Sequence, residues 1–106
     1  MTRGSIVTVA FQGDFGKPRP ALIVQSDLLE DLQSIIVCPI TSDIQDAAFR
    51  IIIEPNPTNG LKYLSQVMVD KIGTLSESKI GSTIGQLDNE RMRAVERAIL
   101  WVVGIA

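Results

Sequence analysis

Histidine is missing from all 106 residues of this chain. The commonest acid–base side chain at neutral pH and the commonest metal ligand are thereby excluded. Any proton transfer falls to Asp, Glu, Lys, Arg or a bridging water. Cysteine occurs once, as Cys38, so there is no internal disulfide framework, and the thiol fits a reducing compartment. No apolar run reaches the ~20 residues that span a bilayer. The opening MTRGSIVTVAFQGD has a charge at Arg3 but neither a long apolar core nor a small-residue cleavage site. A cytoplasmic protein that makes no membrane contact is expected. GxGxxG, P-loop, GxSxG, CxxC and HExxH patterns are all absent, so neither a nucleotide cofactor nor a metal is expected. A net charge of −2 gives no general attraction to nucleic acid, which would need a local basic patch.

What is present is a folded domain: 45% hydrophobic and 21% charged residues argue against disorder. The length suits one domain over residues 1–106, small enough that a second chain would help stabilise it. Ile6–Phe11 is a β-rich run closed by the turn chemistry of Gly13-Asp14. Gly13 and Gly16 form a lone GxxG, which reads as loop geometry. Ala21–Gln25 barely alternates and reads as a strand buried on both faces. Ser26 or Asp27 offers a cap for a short helical turn over Leu28–Leu32. Strands are expected over Ser34–Ile40, with Pro39 marking an edge or bulge, over Phe49–Glu54 and over Leu64–Val69. Ile72–Leu75 and Gly81–Leu87 are weaker candidates, and PNPTNG is dense turn punctuation. Asp88 or Asn89 caps a helix to about Val103, its apolar stripe formed by Met92, Val95, Ile99 and Val102. Leu100, Trp101 and Val103 widen that stripe, either as ordinary core or as a surface for a partner. Mainly β with a C-terminal α-helix, a small antiparallel barrel or curled sheet, is the expected class.

Three places could carry chemistry. Prolines on both sides of Arg19, in KPRP, restrict the backbone and lower the entropy lost in aiming the guanidinium. Such a group suits bidentate recognition of phosphate or carboxylate; a solvated loop pair with Lys17 is the plain reading. Thr41 and Ser42 follow a buried strand and either present a hydroxyl or build a turn. Asp70 and Lys71 close the fifth strand as a functional or merely solvated charge pair.

Taken together, RGSIVTVAF, GKPRPALIVQSD and VCPITS resemble the MazF/PemK (Kid) toxins of bacterial toxin–antitoxin systems, and GLKYLSQVMVDKIGTL resembles that family's later strand. The resemblance implies a small SH3-like, CcdB/PemK-type antiparallel barrel with short helices. It implies a homodimeric, metal-independent, sequence-specific endoribonuclease that cleaves single-stranded RNA, mainly mRNA, by attack of the ribose 2′-oxygen. By motif position, Arg19, Thr41 and Asp70 are the catalytic residues; the motif leaves the general base open, with Asp70 the first candidate and Asp14 the reserve. Lys17, Ser42, Arg50 and Lys71 are expected to bind RNA, and a MazE-like antitoxin with an acidic segment is the expected partner. The chain departs from the family in two ways. It has no histidine ahead of the R-P motif, and Met68 stands where some members place an arginine. The alternative is a CcdB-like gyrase poison without enzymatic activity, suggested by the ending WVVGIA; a degenerate toxin that still binds antitoxin is a third reading.

Overall fold

A computed structural model describes residues 2–10, 17–29 and 32–106. Strands β1 (Ser5–Val9), β2 (Arg19–Ile23) and β3 (Ser34–Thr41) form its centre, each antiparallel to the next. β4 (Arg50–Ile53), β5 (Ser65–Met68), β6 (Gly73–Ser76) and β7 (Ile80–Gln86) complete a seven-stranded sheet. Its path runs β4-β5-β3-β2-β1-β7, with β6 added beside β3. One helix, α1 (Asn89–Val102), follows. Phe11, the GxxG glycines and Asp14 lie outside the described residues.

β3 has two partners on one edge. Its first half pairs with β6 from Ser34 to Val37, and its end pairs with β5 at Ile40 and Thr41. Pro39 falls between the two. Ile36 turns its N–H and C=O toward the β2 side, so by alternation Pro39 turns its missing donor toward the handover. The proline therefore sits inside a central strand, not on an edge, at a point where no ladder bond is lost.

The period of two along the strands builds two cores. Ile6, Leu22, Cys38, Ile40, Val67 and Val69 face α1 and pack on its buried Met92, Val95 and Ala98. Val7, Val9, Ala21, Ile23, Ile35 and Val37 point to the other face, where Leu75 and Ile80 cover them. β2 is thus buried on both sides, as its unbroken apolar run predicts. Of the short helical turn expected over Leu28–Leu32, Glu30 and Asp31 lie outside the described residues; before them Ser26 accepts from Leu28 through its Oγ and from Leu29 through its carbonyl. Short helices do occur elsewhere, as single 3₁₀ turns at Val69–Lys71 and Glu77–Lys79. At the start of α1 the Asp88 carboxylate accepts from the Arg91 N–H at 2.9 Å, a cap worth about 1 kcal/mol.

The barrel is not closed by strand pairing, since β4 and β7 end the path. Side chains bring the gap together instead. In the segment Pro55–Gly60, Asn56 Oδ1 accepts from Thr58 and Asn59, and the buried Asn59 amide bonds Asn56, Leu61 and the Glu54 carbonyl. Thr58 O then takes the Gln86 N–H at 2.9 Å, tying this loop to β7. Gly60 has a φ of +70°, and a Cβ there would run into the Ile84 backbone carbonyl. Replacing Gly60 with alanine should therefore cost about 2–3 kcal/mol, because both the left-handed backbone and the close approach are lost. Urea denaturation checks this; an unchanged midpoint would mean that the loop does not hold the β7 side.

Candidate functional site

Thr41 ends β3 opposite Gln66 of β5, and β5 in turn sets Ile52 opposite Gln66 and Arg50 opposite Met68. Cross-strand partners share a face, so Thr41, Gln66 and Arg50 all project on the side away from α1. β2 adds Arg19. Its pairing sets Ala21 opposite Pro39, and two residues further along come Arg19 and Thr41, at the same end and on the same face.

Gln66 joins these groups. It is buried, and its Oε1 accepts from the Gln45 N–H at 3.0 Å and from Arg50 Nη1 at 3.1 Å. Its Nε2 donates to the Gln45 carbonyl at 3.0 Å. Arg50 also grips Asp70, with Nε on Oδ1 at 3.0 Å and Nη2 on Oδ2 at 3.2 Å. Three of the five guanidinium N–H groups are thus committed, leaving one on each Nη for a ligand. Thr41 Oγ1 accepts from the Asp43 N–H at 3.0 Å, so the turn reading holds, and the hydroxyl keeps its own proton to donate.

The Arg50 bonds, with Lys71 adding its field, hold the Asp70 carboxyl below the ordinary carboxylate range. Burial pushes the Cys38 thiol up to about 12, helped by the nearby Asp70 charge, so it offers no thiolate. Lys71 follows Asp70 in the 3₁₀ turn and is exposed, and so are Lys17 before β2 and Ser42 after Thr41. The expected residues therefore fall into a joined set of Thr41, Arg50 and Asp70, with Arg19 alongside and Lys17, Ser42 and Lys71 on the approaches. Gln66 was not foreseen. Its signal in the sequence is slight, an amide between Ser65 and Val67 in the short strand SQVM. The absent arginine at Met68 is made good by geometry, because Arg50 brings a guanidinium to Asp70 from the facing position on β4. Among the described residues no group of three or more His, Cys, Asp and Glu side chains could hold a metal ion.

A model of the PemK-like, MazF-like toxins of type II toxin–antitoxin systems matches residues 2–103. The chain belongs to this family. It is 42% identical over 108 residues to the probable endoribonuclease MazF of Mycolicibacterium smegmatis, covering 100% of this chain and 99% of that protein. The structure of Mycobacterium tuberculosis toxin MazF-mt6 is similar at a TM-score of 0.84 and 25% identity, covering 96% of this chain and 98% of that one. An endoribonuclease from a mycobacterial species, solved in complex with its cognate antitoxin, shares the fold at a TM-score of 0.85 and 18% identity, over 100% and 97% of the two chains.

Membership in the PemK/MazF family runs against the gyrase-poison alternative. Trp101 is stacked on Phe49, ring centroids 5.8 Å apart and planes 25° from parallel, at one end of a groove of about 390 Å³ between β4 and α1. The apolar excess of the helix is nonetheless not core: Leu100, Trp101 and Val103 are exposed. Among the described residues no helix is long and apolar enough to cross a membrane.

Because its folded pKa is depressed, Asp70 contributes stability in full above the unfolded carboxylate value, and the contribution fades as pH falls through the folded value. Asp70→Asn should therefore lower the urea midpoint at neutral pH, and its deficit against wild type should shrink in acid below about pH 4. A deficit independent of pH would show that the carboxylate charge is not what stabilises.

Proposed function

We propose that this chain, acting as one toxin domain over residues 1–106, is a metal-independent endoribonuclease that cuts single-stranded RNA, mRNA above all. The observation that carries the reading is the gathering of Thr41, Arg50 and Asp70 around buried Gln66, on the face that also receives Arg19. Family membership and the 42% identity to a protein named as a probable endoribonuclease support it.

In the proposed reaction the ribose 2′-oxygen attacks the adjacent phosphorus and the P–O5′ bond breaks, leaving a cyclic phosphate and a 5′-hydroxyl. The nucleophile belongs to the substrate, so no protein nucleophile is needed, and DNA is rejected for want of the 2′-hydroxyl. Negative charge gathers on the phosphoryl oxygens. Arg19, the Thr41 O–H and the uncommitted N–H groups of Arg50 meet it with donors already oriented. Asp70 takes the 2′ proton, and the departing 5′-oxygen takes one from water. The depressed pKa of Asp70 makes it a weak base but keeps it in the accepting form across the neutral and mildly acidic range, so most of the rate gain comes from charge stabilisation. Lys17, Ser42 and Lys71 hold the flanking backbone, Lys17 and Lys71 by charge.

Two protein partners belong to the same reading. A second copy covers the exposed apolar end of α1, where Leu100, Trp101, Val103 and Ile105 lie together. A cognate antitoxin lays an acidic segment over the Arg19–Arg50 end and blocks RNA. The setting is cytoplasmic.

Purified protein incubated with a long RNA in EDTA should give discrete cuts ending in cyclic phosphate. Arg19→Ala should slow them on the order of 10²–10³-fold, and a 2′-deoxy substitution at the cut site should stop them. Intact RNA, or cutting that depends on added metal, would sink the proposal.

A further inference from the structure

Gln66 is the least exposed polar side chain of the sheet, at 1%, yet the assigned chemistry does not use it. An amide so deep in a β-strand is costly unless each polar atom is bonded. Both are, and the partners are telling. One pair of bonds runs to the N–H and carbonyl of Gln45, in the middle of the loop 42–49. The other bond runs to Arg50, the first residue of the following strand.

That loop is otherwise tied only at its ends among the described residues. Asp43 N–H donates to Thr41 Oγ1 at the start, and Arg50 N–H donates to Ala47 O at the finish. A shift of Gln45 would therefore move Asp43, and with it the direction in which the Thr41 hydroxyl can donate. Loss of the Oε1 acceptor would also free Arg50 to turn about its Asp70 contact.

We infer that Gln66 is a positioning residue for RNA cleavage: one buried amide sets both the Thr41 hydroxyl, through the loop, and the Arg50 guanidinium, directly. The inference rests on the ribonuclease reading for its kinetic consequence, but the hydrogen-bond coupling can be measured without RNA. It differs from a plain packing role in one respect. If Gln66 works through Arg50, removing Arg50 first makes much of the Gln66 contribution vanish.

The test is a double-mutant cycle read on cleavage of a long RNA in EDTA. Gln66→Leu should lower the rate at saturating RNA about 10–100-fold, the scale of a misplacement near 1 Å. The half-saturating RNA concentration should change less than about twofold, since binding by the outlying cations is untouched. In the Arg50→Ala background the same substitution should cost at least about threefold less than in wild type, what remains being the share carried through the loop to Thr41. Losses that multiply in the double variant, or a folded Gln66→Leu that cuts at the wild-type rate, would overturn the inference. Gln66→Glu guards against a variant that does not fold. It keeps both acceptor bonds but sets an oxygen against the Gln45 carbonyl in place of the donor, so it should retain more of the rate than Gln66→Leu. In NMR spectra of the RNA-free protein, the Arg50 side-chain N–H signals should be as sharp in Gln66→Glu as in wild type and broadened in Gln66→Leu. Signals unchanged in a folded Gln66→Leu, or lost in Gln66→Glu, would refute the coupling. If wild type leaves RNA intact while Arg50 still responds in this way, the ribonuclease reading has failed and the coupling stands.

Discussion

Most of the architecture follows from the division of one edge of β3 between two partners. An eight-residue strand that pairs first with β6 and then with β5 must bend the sheet around itself, because the two partners leave in different directions. Pro39 makes the division inexpensive by withholding a donor where neither partner could accept it. The first half of the strand then lies over the second core with Val7, Ala21 and Ile23, while the last residue, Thr41, emerges beside β5. The site is where that strand ends.

Charge at that end is organised before any substrate arrives. A bare guanidinium beside a carboxylate would gain little at a surface. Here the pair is bidentate, the arginine side chain is mostly buried, and a third bond comes from an amide that cannot leave. The ordering entropy of Arg50 is thus met during folding. The same pairing weakens Asp70 as a base, so rigidity at the guanidinium is obtained at some expense of proton affinity. On the proposed mechanism the rate depends more on stabilising charge than on moving protons, which agrees with a chain that has no histidine.

The sequence disclosed a good deal of this. Apolar runs located β2, β3 and β4, the spacing of Met92, Val95 and Ile99 located α1, and the motif resemblance named Arg19, Thr41 and Asp70. What it could not disclose was register. Arg50 and Met68 are eighteen positions apart along the chain, and only the β4–β5 ladder shows that one stands where the other would have been expected to serve. Gln66 was illegible for the same reason, since an amide gains its meaning from partners on a loop and a neighbouring strand. Pro39 misled because local chemistry marks an edge, whereas the break in the ladder was made by two long-range pairings. The exposed Leu100–Val103 face was left as one of two readings, since helical spacing does not say how wide a face the sheet can cover.

The asparagine-built loop between β4 and β5 has a consequence for how copies of this chain meet. An unpaired strand edge is a template on which another chain can grow. By donating from Gln86 to Thr58, and by seating Asn59 against Gly85, the loop occupies the outer side of β7 with backbone that has no further ladder to offer. The open edges left among the described residues, β4 and the outer side of β6, are each four residues long, and β4 begins with an arginine already committed to Asp70. A chain proposed to meet a second copy and an antitoxin through chosen surfaces is thereby less open to indiscriminate strand addition.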